Sequence, residues 1–336
     1  MENFKIENVT DEGEVGRILK EEILCELCPR YILVGEDGTC LGEEYTKFAE
    51  QIKNLEVRND DVWVVSYPKT GTTWTQEMVW LIASHLDFDG AKKPLIERFP
   101  FLEASSILNS EKFNAILKLE VNKFEDTVKT VRNQKSPRFI KTHLPFSLLP
   151  DEIVNRTKTP KMIYVTRNAK DVCVSYCHHG NLCQGWKTNV ENFAKVFMAD
   201  RAMFGSFWKH NLGVWEHRDW PNLLIIKYED MKTDLPAVIK KVAWFLDKHL
   251  SDEDIKALTK HLSFDSMKKN MALNGEIFFD MLRKHNLAPK EGKFLRSGTV
   301  GKYKEELSPE TVEKLNEWIK QNISGTSFEQ YYDYNL

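Results

Sequence analysis

The stretch that most constrains this chain is YPKTGTTW, Tyr67 to Trp74, set between a strand pattern and a helix pattern. Asp61 to Tyr67 is rich in β-branched and aromatic residues and reads as a short buried strand. From Thr72 onward, Trp74, Met78, Leu81, Ile82 and His85 recur at three- and four-residue spacings, the apolar stripe of a helix. A strand that turns sharply into a helix leaves the first helical N–H groups unpaired and pointing outward. Those donors, the helix dipole, the threonine hydroxyls and Lys69 together suit an anion of phosphate or sulfate type. Gly71 lets the backbone come close to it. The nucleotide-triphosphate loop GxxxxGK[ST] is a different motif, because here the Lys precedes the Gly. A plain strand–turn–helix could use the same Pro, Gly and Thr as turn and cap residues, so the loop alone leaves the chemistry open.

Further strand patterns at Arg138–Thr142, Lys161–Thr166 and Asn222–Tyr228 alternate with helical patterns such as Val190–Trp208 and Leu235–Leu246. That alternation predicts an α/β fold with a parallel sheet covered on both faces. Without a repeat or a Pro/Gly/Ser-rich linker, the 336 residues read as one domain. Open parallel sheets bind ligands at the carboxyl ends of their strands, and unusual polar residues collect there. The first strand is followed by Lys69, Gly71, Thr72 and Thr73, and the second, in RFIKTHLP, ends with Lys141 and His143, which share one face of an extended chain. The third ends at Arg167, with Ser175 about two helical turns further on, and the fourth ends at Tyr228. Lys69, Lys141 and the loop amides can stabilise charge in an in-line transfer. His143 can act as general base on an acceptor hydroxyl. Arg167 and Ser175 can hold a second phosphate, and Trp74 with Tyr228 can flank a purine. No obvious Walker B Asp is present for Mg²⁺, so metal-free transfer from a nucleotide-like donor is expected.

A net charge of −3, from 47 basic and 50 acidic side chains, gives no general reason to expect a nucleic-acid partner. The acidic start lacks the apolar core of a signal peptide, and no apolar run approaches a membrane span. Six cysteines without secretory signals point to free thiols and the cytoplasm. Cys25 and Cys28 form a CxxC with no second pair to complete a zinc site. Cys173, Cys177, His178, His179 and Cys183 gather ligand types at no common zinc spacing, so structural thiols are expected. Ser308-Pro309 reads as a helix cap and first turn ahead of the stripe Val312, Leu315 and Ile319. Leu102–Lys135 carries no recognisable chemistry; its place between two strands suits either a lid or a surface helix pair.

With these pieces in order, the chain resembles the cytosolic sulfotransferases that use 3′-phosphoadenosine 5′-phosphosulfate. The matching segments are YPKTGTTW, RFPFLE (Arg98–Glu103), KTHLP (Lys141–Pro145), YVTRNAKDVCVSYCHH (Tyr164–His179), KYEDM (Lys227–Met231), SFDSMKKN (Ser263–Asn270) and RSGTVG (Arg296–Gly301). The resemblance implies one P-loop nucleotide-kinase-like domain over residues 1–336 with a phosphosulfate-binding loop, an N-terminal extension at 1–40 and a candidate substrate lid at 102–135. It assigns Lys69, Thr70, Gly71, Thr72 and Thr73 to the 5′-phosphosulfate, and His143 to the catalytic base with Lys141 and Lys69 beside the sulfuryl group. Arg167, Ser175, Arg296, Ser297 and Gly298 fall to the 3′-phosphate, and Trp74, Tyr228 and Phe264 to the adenine. The implied partner is a small, largely apolar acceptor with a hydroxyl group (a phenol, steroid, retinoid or other alcohol), and the implied product nucleotide is adenosine 3′,5′-bisphosphate. Two departures stand out: Ser297 where a Lys is common, and Leu262 where a Thr often meets the adenine. The family's dimer motif is only partly met by Lys304–Glu313, which leaves a homodimer open. The rival readings are an ATP-dependent kinase, a non-catalytic nucleotide-binding protein, and a branch that sulfonates an allylic alcohol and then eliminates sulfate, as retinol dehydratase does.

Overall fold

The computed structural model describes residues 5–107 and 126–334; most of the candidate lid, residues 108–125, lies outside them. The segment expected as an N-terminal extension folds into an antiparallel sheet of β1 (Ile6–Asn8), β2 (Tyr31–Val34) and β3 (Thr39–Gly42), in that order. Tyr31, Ile32, Val34 and Leu41 are buried in the same apolar cluster as the central sheet, so this hairpin is part of the domain's core. Its strands are three or four residues long, too short for an alternation signal in sequence.

The central sheet consists of β4 (Val62–Val65), β5 (Phe139–Thr142), β6 (Lys161–Thr166) and β7 (Leu223–Lys227). The strands are all parallel, in the order β5-β4-β6-β7. Each central strand is apolar on both faces, as helix-covered parallel sheets require. Trp63 and Val65 of β4 enter one core cluster, while Val62 and Val64 enter the other. β6 repeats the division, Met162 and Tyr164 against Ile163 and Val165. Register decides what this sheet can do. Val65 stands beside Thr142 on one side and Tyr164 on the other, and Thr166 stands beside Lys227. The residues just after each strand therefore leave the sheet along one edge.

At the opposite edge, Arg138 and Asp61 form a bidentate pair, Nε to Oδ1 at 2.8 Å and Nη2 to Oδ2 at 2.6 Å, with both side chains fully buried. Arg138 Nη2 also donates to the Glu56 carbonyl at 2.7 Å. The pair ties the start of β5 to the residue that precedes β4.

Two expectations are modified. The pattern Val190–Trp208 divides into helices Val190–Met198 and Phe207–Trp215. Between them the backbone pairs with β3, Phe204 N to Cys40 O at 2.7 Å and Cys40 N to Gly205 O at 2.9 Å, and this tertiary pairing displaces the helical ladder. Ser308 does cap the helix Pro309–Ile323 through the Thr311 amide. Its own N–H and the Thr311 hydroxyl go to Glu191, so these groups of the partly met dimer motif are engaged within the chain. Among the described residues, no helix is long and apolar enough to cross a membrane.

Asp61→Asn leaves the Arg138 guanidinium buried without its counter-charge. We expect it to cost about 3–5 kcal/mol of stability in urea unfolding. A loss below about 1 kcal/mol, the size of an exposed ion pair, contradicts this role for the pair.

Candidate functional site

The loop after β4 is shaped by local bonds. The Thr70 hydroxyl donates to the Tyr67 carbonyl at 2.9 Å, so its side chain closes the turn instead of facing the site. Lys69 and Gly71 both have left-handed backbones, at φ 70° and 109°. A Cβ on Gly71 would stand 2.7 Å from the Tyr228 ring, so close approach and conformation both demand glycine. The helix Thr72–Ala83 begins with no side-chain cap, which leaves its first amides available to a ligand.

Beside this loop lies a cavity of about 890 Å³. Lys69, Gly71, Thr72, Thr73, Trp74, Lys141, His143, Arg167, Ser175, Tyr228, Phe264, Arg296, Ser297 and Gly298 all line it. Thr70 does not, and Leu262 is fully buried in the core behind it. At one end, Arg167 stacks over the Tyr228 ring at 4.3 Å and Trp74 meets that ring edge-on at 5.7 Å. A Cβ on Gly298, at φ 62°, would clash with Phe264 at 2.4 Å. Trp74 Nε1 and Arg167 Nε are buried with no hydrogen-bond partner among the described residues. Buried donors in native proteins are normally paired, so this end fits an aromatic, phosphate-bearing ligand.

At the other end stands His143. Its Nδ1 lies 2.7 Å from the Ser66 carbonyl, which can only accept, so Nδ1 carries the proton and Nε2 is the basic lone pair. Burial, reinforced by the Lys141 charge, holds His143 well below the usual histidine range, so the ring is neutral at pH 7. Its backbone is fixed from two sides. The His143 amide donates to Glu103 Oε1 at 2.5 Å, while Glu103 Oε2 accepts from the Thr142 hydroxyl at 2.8 Å. His210 Nε2 donates to the His143 carbonyl at 3.0 Å, and its Nδ1 faces the Tyr164 hydroxyl at 2.8 Å. Burial raises the Glu103 carboxyl, and the bonds from His143 and Thr142 oppose that rise.

Two ammonium groups face the same space. Lys141 Nζ sits 3.9 Å above the Phe101 ring and Lys69 Nζ 4.3 Å above Phe294. Burial lowers both, Lys69 to about 8, where Arg167 and Lys141 add repulsion. Phe101 and Phe204 flank the His143 ring at 5.1 and 5.6 Å.

Sequence reasoning misses Glu103, His210, Phe101 and Phe204. Glu103 ends the RFPFLE segment, whose chain pairs with β5 through Lys141 N to Pro100 O and Leu102 N to Lys141 O, both 2.9 Å. The cysteine–histidine cluster does not converge on one point, although Cys183 Sγ stays 3.4 Å from His179 Nε2. Cys173 and Cys177 lie in the core, His178 meets Glu306, and the Cys183 thiol donates to the His179 carbonyl at 3.1 Å. Among the described residues no three candidate ligands converge on a metal position.

The profile of the sulfotransferase domain matches residues 59–327. The chain is 49% identical over 325 residues to a luciferin sulfotransferase of Photinus pyralis, covering 96% of this chain and 88% of that one. It is 33% identical over 299 residues to an amine sulfotransferase of Oryctolagus cuniculus, covering 86% and 89%. Among solved structures it resembles retinol dehydratase in a complex with retinol and PAP, at TM-score 0.87 and 30% identity over 97% of this chain and 98% of the other. A mouse sulfotransferase complexed with PAP shares the fold at TM-score 0.65 and 23% identity over 88% and 95%.

A bound anion favours the charged forms of Lys69 and Lys141. Affinity for adenosine 3′,5′-bisphosphate should therefore fall as pH rises through about 8, the region to which burial lowers both Lys69 and Lys141. Lys69→Met should weaken binding and flatten that fall in calorimetric titrations at pH 7 and 9.5; an undiminished slope contradicts the assignment to Lys69.

Proposed function

The chain belongs to the sulfotransferase family, and on that premise we propose that it transfers a sulfuryl group from 3′-phosphoadenosine 5′-phosphosulfate to a hydroxyl of a small, largely apolar acceptor. The observation that carries this reading is the neutral His143 ring beside two burial-lowered lysines in one cavity. The donor supplies the sulfuryl group and leaves as adenosine 3′,5′-bisphosphate. His143 Nε2 takes the acceptor's hydroxyl proton as the oxygen–sulfur bond forms. Lys69, Lys141 and the amides after Gly71 neutralise charge on the transferring group and the departing phosphate. Trp74, Tyr228 and Phe264 hold the adenine; Arg167, Ser175, Arg296, Ser297 and Gly298 face the 3′-phosphate. No metal has a part in this scheme.

Support for an apolar acceptor comes from the cavity wall, which includes Phe278, Phe279 and Phe294 as well as Phe101 and Phe204, the two rings that flank His143. Retinol, present in the complex of the similar retinol dehydratase, is such an alcohol. The similarity to retinol dehydratase also supports a second reading, in which an allylic sulfate loses its sulfate after transfer. Incubation with retinol separates the two: a persistent sulfate ester supports simple transfer, and released inorganic sulfate with a dehydrated product supports elimination. We place the enzyme in the cytoplasm because its six cysteines are all unpaired, as a reducing compartment keeps them.

His143→Ala should lower kcat by about 10²–10⁴-fold while the affinity for adenosine 3′,5′-bisphosphate stays within a few-fold, measured by single-turnover assay and calorimetry. Near-normal turnover contradicts the base assignment.

A further inference from the structure

The end of the cavity given above to the 3′-phosphate carries two arginines, and each already faces a carboxylate. Arg167 Nη2 lies 3.7 Å from Asp171, whose oxygens also accept from the Gly301 amide at 2.7 Å and the Tyr303 amide at 3.3 Å. Arg296 is engaged more closely. Its Nη1 lies 2.5 Å from Glu306 Oε1, while Glu306 Oε2 lies 2.5 Å from His178 Nε2. Burial alone would raise the Glu306 carboxyl, but the bonds from His178 and Arg296 outweigh it and hold it below the usual range, so it is ionised. Ser297, the next residue, contributes a hydroxyl and no charge to the same wall. The two cations of this subsite are thus matched by two anions before any ligand is counted.

We propose that Glu306 is a donor-specificity residue: by neutralising Arg296 at the second-phosphate end of the cavity, it makes this chain discriminate weakly between adenosine nucleotides with and without a 3′-phosphate. The inference rests on the donor reading above and deepens it. A 3′-phosphate reaching Arg296 meets a guanidinium whose charge is already offset by the Glu306 carboxylate on its Nη1, and the like charge of that carboxylate opposes the phosphate. A nucleotide that ends in a 3′-hydroxyl is not repelled in this way. The opposite role is a clamp, in which Glu306 holds Arg296 in position so that its remaining donors grip the phosphate. The two roles predict opposite signs for the loss of the carboxylate charge.

The test is calorimetric titration of the full-length protein with adenosine 3′,5′-bisphosphate and with adenosine 5′-monophosphate, for the wild type, Glu306→Gln and Ser297→Lys. The measured quantity is the ratio of the two dissociation constants. The wild type should favour the bisphosphate by no more than about tenfold, and Glu306→Gln should raise that preference about tenfold further, as removal of a nearby like charge implies. Ser297→Lys should raise it by a similar factor. Affinity for the monophosphate should stay unchanged in Glu306→Gln, which also shows that this variant is folded. A preference that is unchanged or smaller in Glu306→Gln overturns the proposal, as does a thousandfold preference in the wild type. Bisphosphate binding with an unchanged ratio overturns this proposal alone. Failure of the bisphosphate to bind the wild type overturns the donor reading and this proposal together; binding of the bisphosphate but not the monophosphate overturns this proposal alone.

Discussion

The register of β4 against its neighbours is the constraint on which the site depends. Because Val65 pairs with Thr142 and Tyr164, the chain leaves the sheet at Ser66, His143 and Arg167 along one edge. A slip of one residue would turn every side chain of the strand to the opposite face. It would also break the bond from His143 Nδ1 to the Ser66 carbonyl, which joins the ends of two adjacent strands and sets the ring's tautomer. The Asp61–Arg138 pair secures the same two strands at their other end, so register is held by a buried ion pair at one edge and a histidine at the other.

Burial makes this edge chemically unusual. The neutral form of His143 and the lowered Lys69 and Lys141 share one cause, the loss of water around each group, and their proximity adds mutual repulsion. Such a site disfavours its own positive charges until an anion enters. In the proposed reaction, entry of the anionic donor satisfies the lysines and leaves His143 to accept a proton. Aromatic faces under the ammonium groups, Phe101 beneath Lys141 and Phe294 beneath Lys69, hold the cations in place without neutralising them.

Much of this arrangement is legible in the sequence, for physical reasons that differ from residue to residue. The loop can be read because Pro68, Gly71 and the threonines punctuate it, and Lys141, His143, Arg167 and Tyr228 because each follows an apolar strand run. What the sequence hides depends on long-range partners. Glu103 acts on an amide 40 residues away and His210 on a carbonyl 67 residues away, and neither has a local pattern. Thr70 groups with its neighbours in the motif, yet a bond three residues back turns it inward. Phe204 reaches the His143 ring only because pairing with β3 interrupts a helix that periodicity alone would continue. The N-terminal hairpin is invisible because its strands are too short to show alternation.

Everything proposed for catalysis turns on His143 presenting an unprotonated Nε2 to the cavity. Nitrogen-15 spectra of the histidine rings, with His143 assigned by its loss in His143→Ala, read this state directly. Between pH 6 and 8 the account predicts a neutral ring protonated at Nδ1, with Nε2 showing the shift of an unprotonated nitrogen. An imidazolium in that range, or a neutral ring protonated at Nε2, would contradict it.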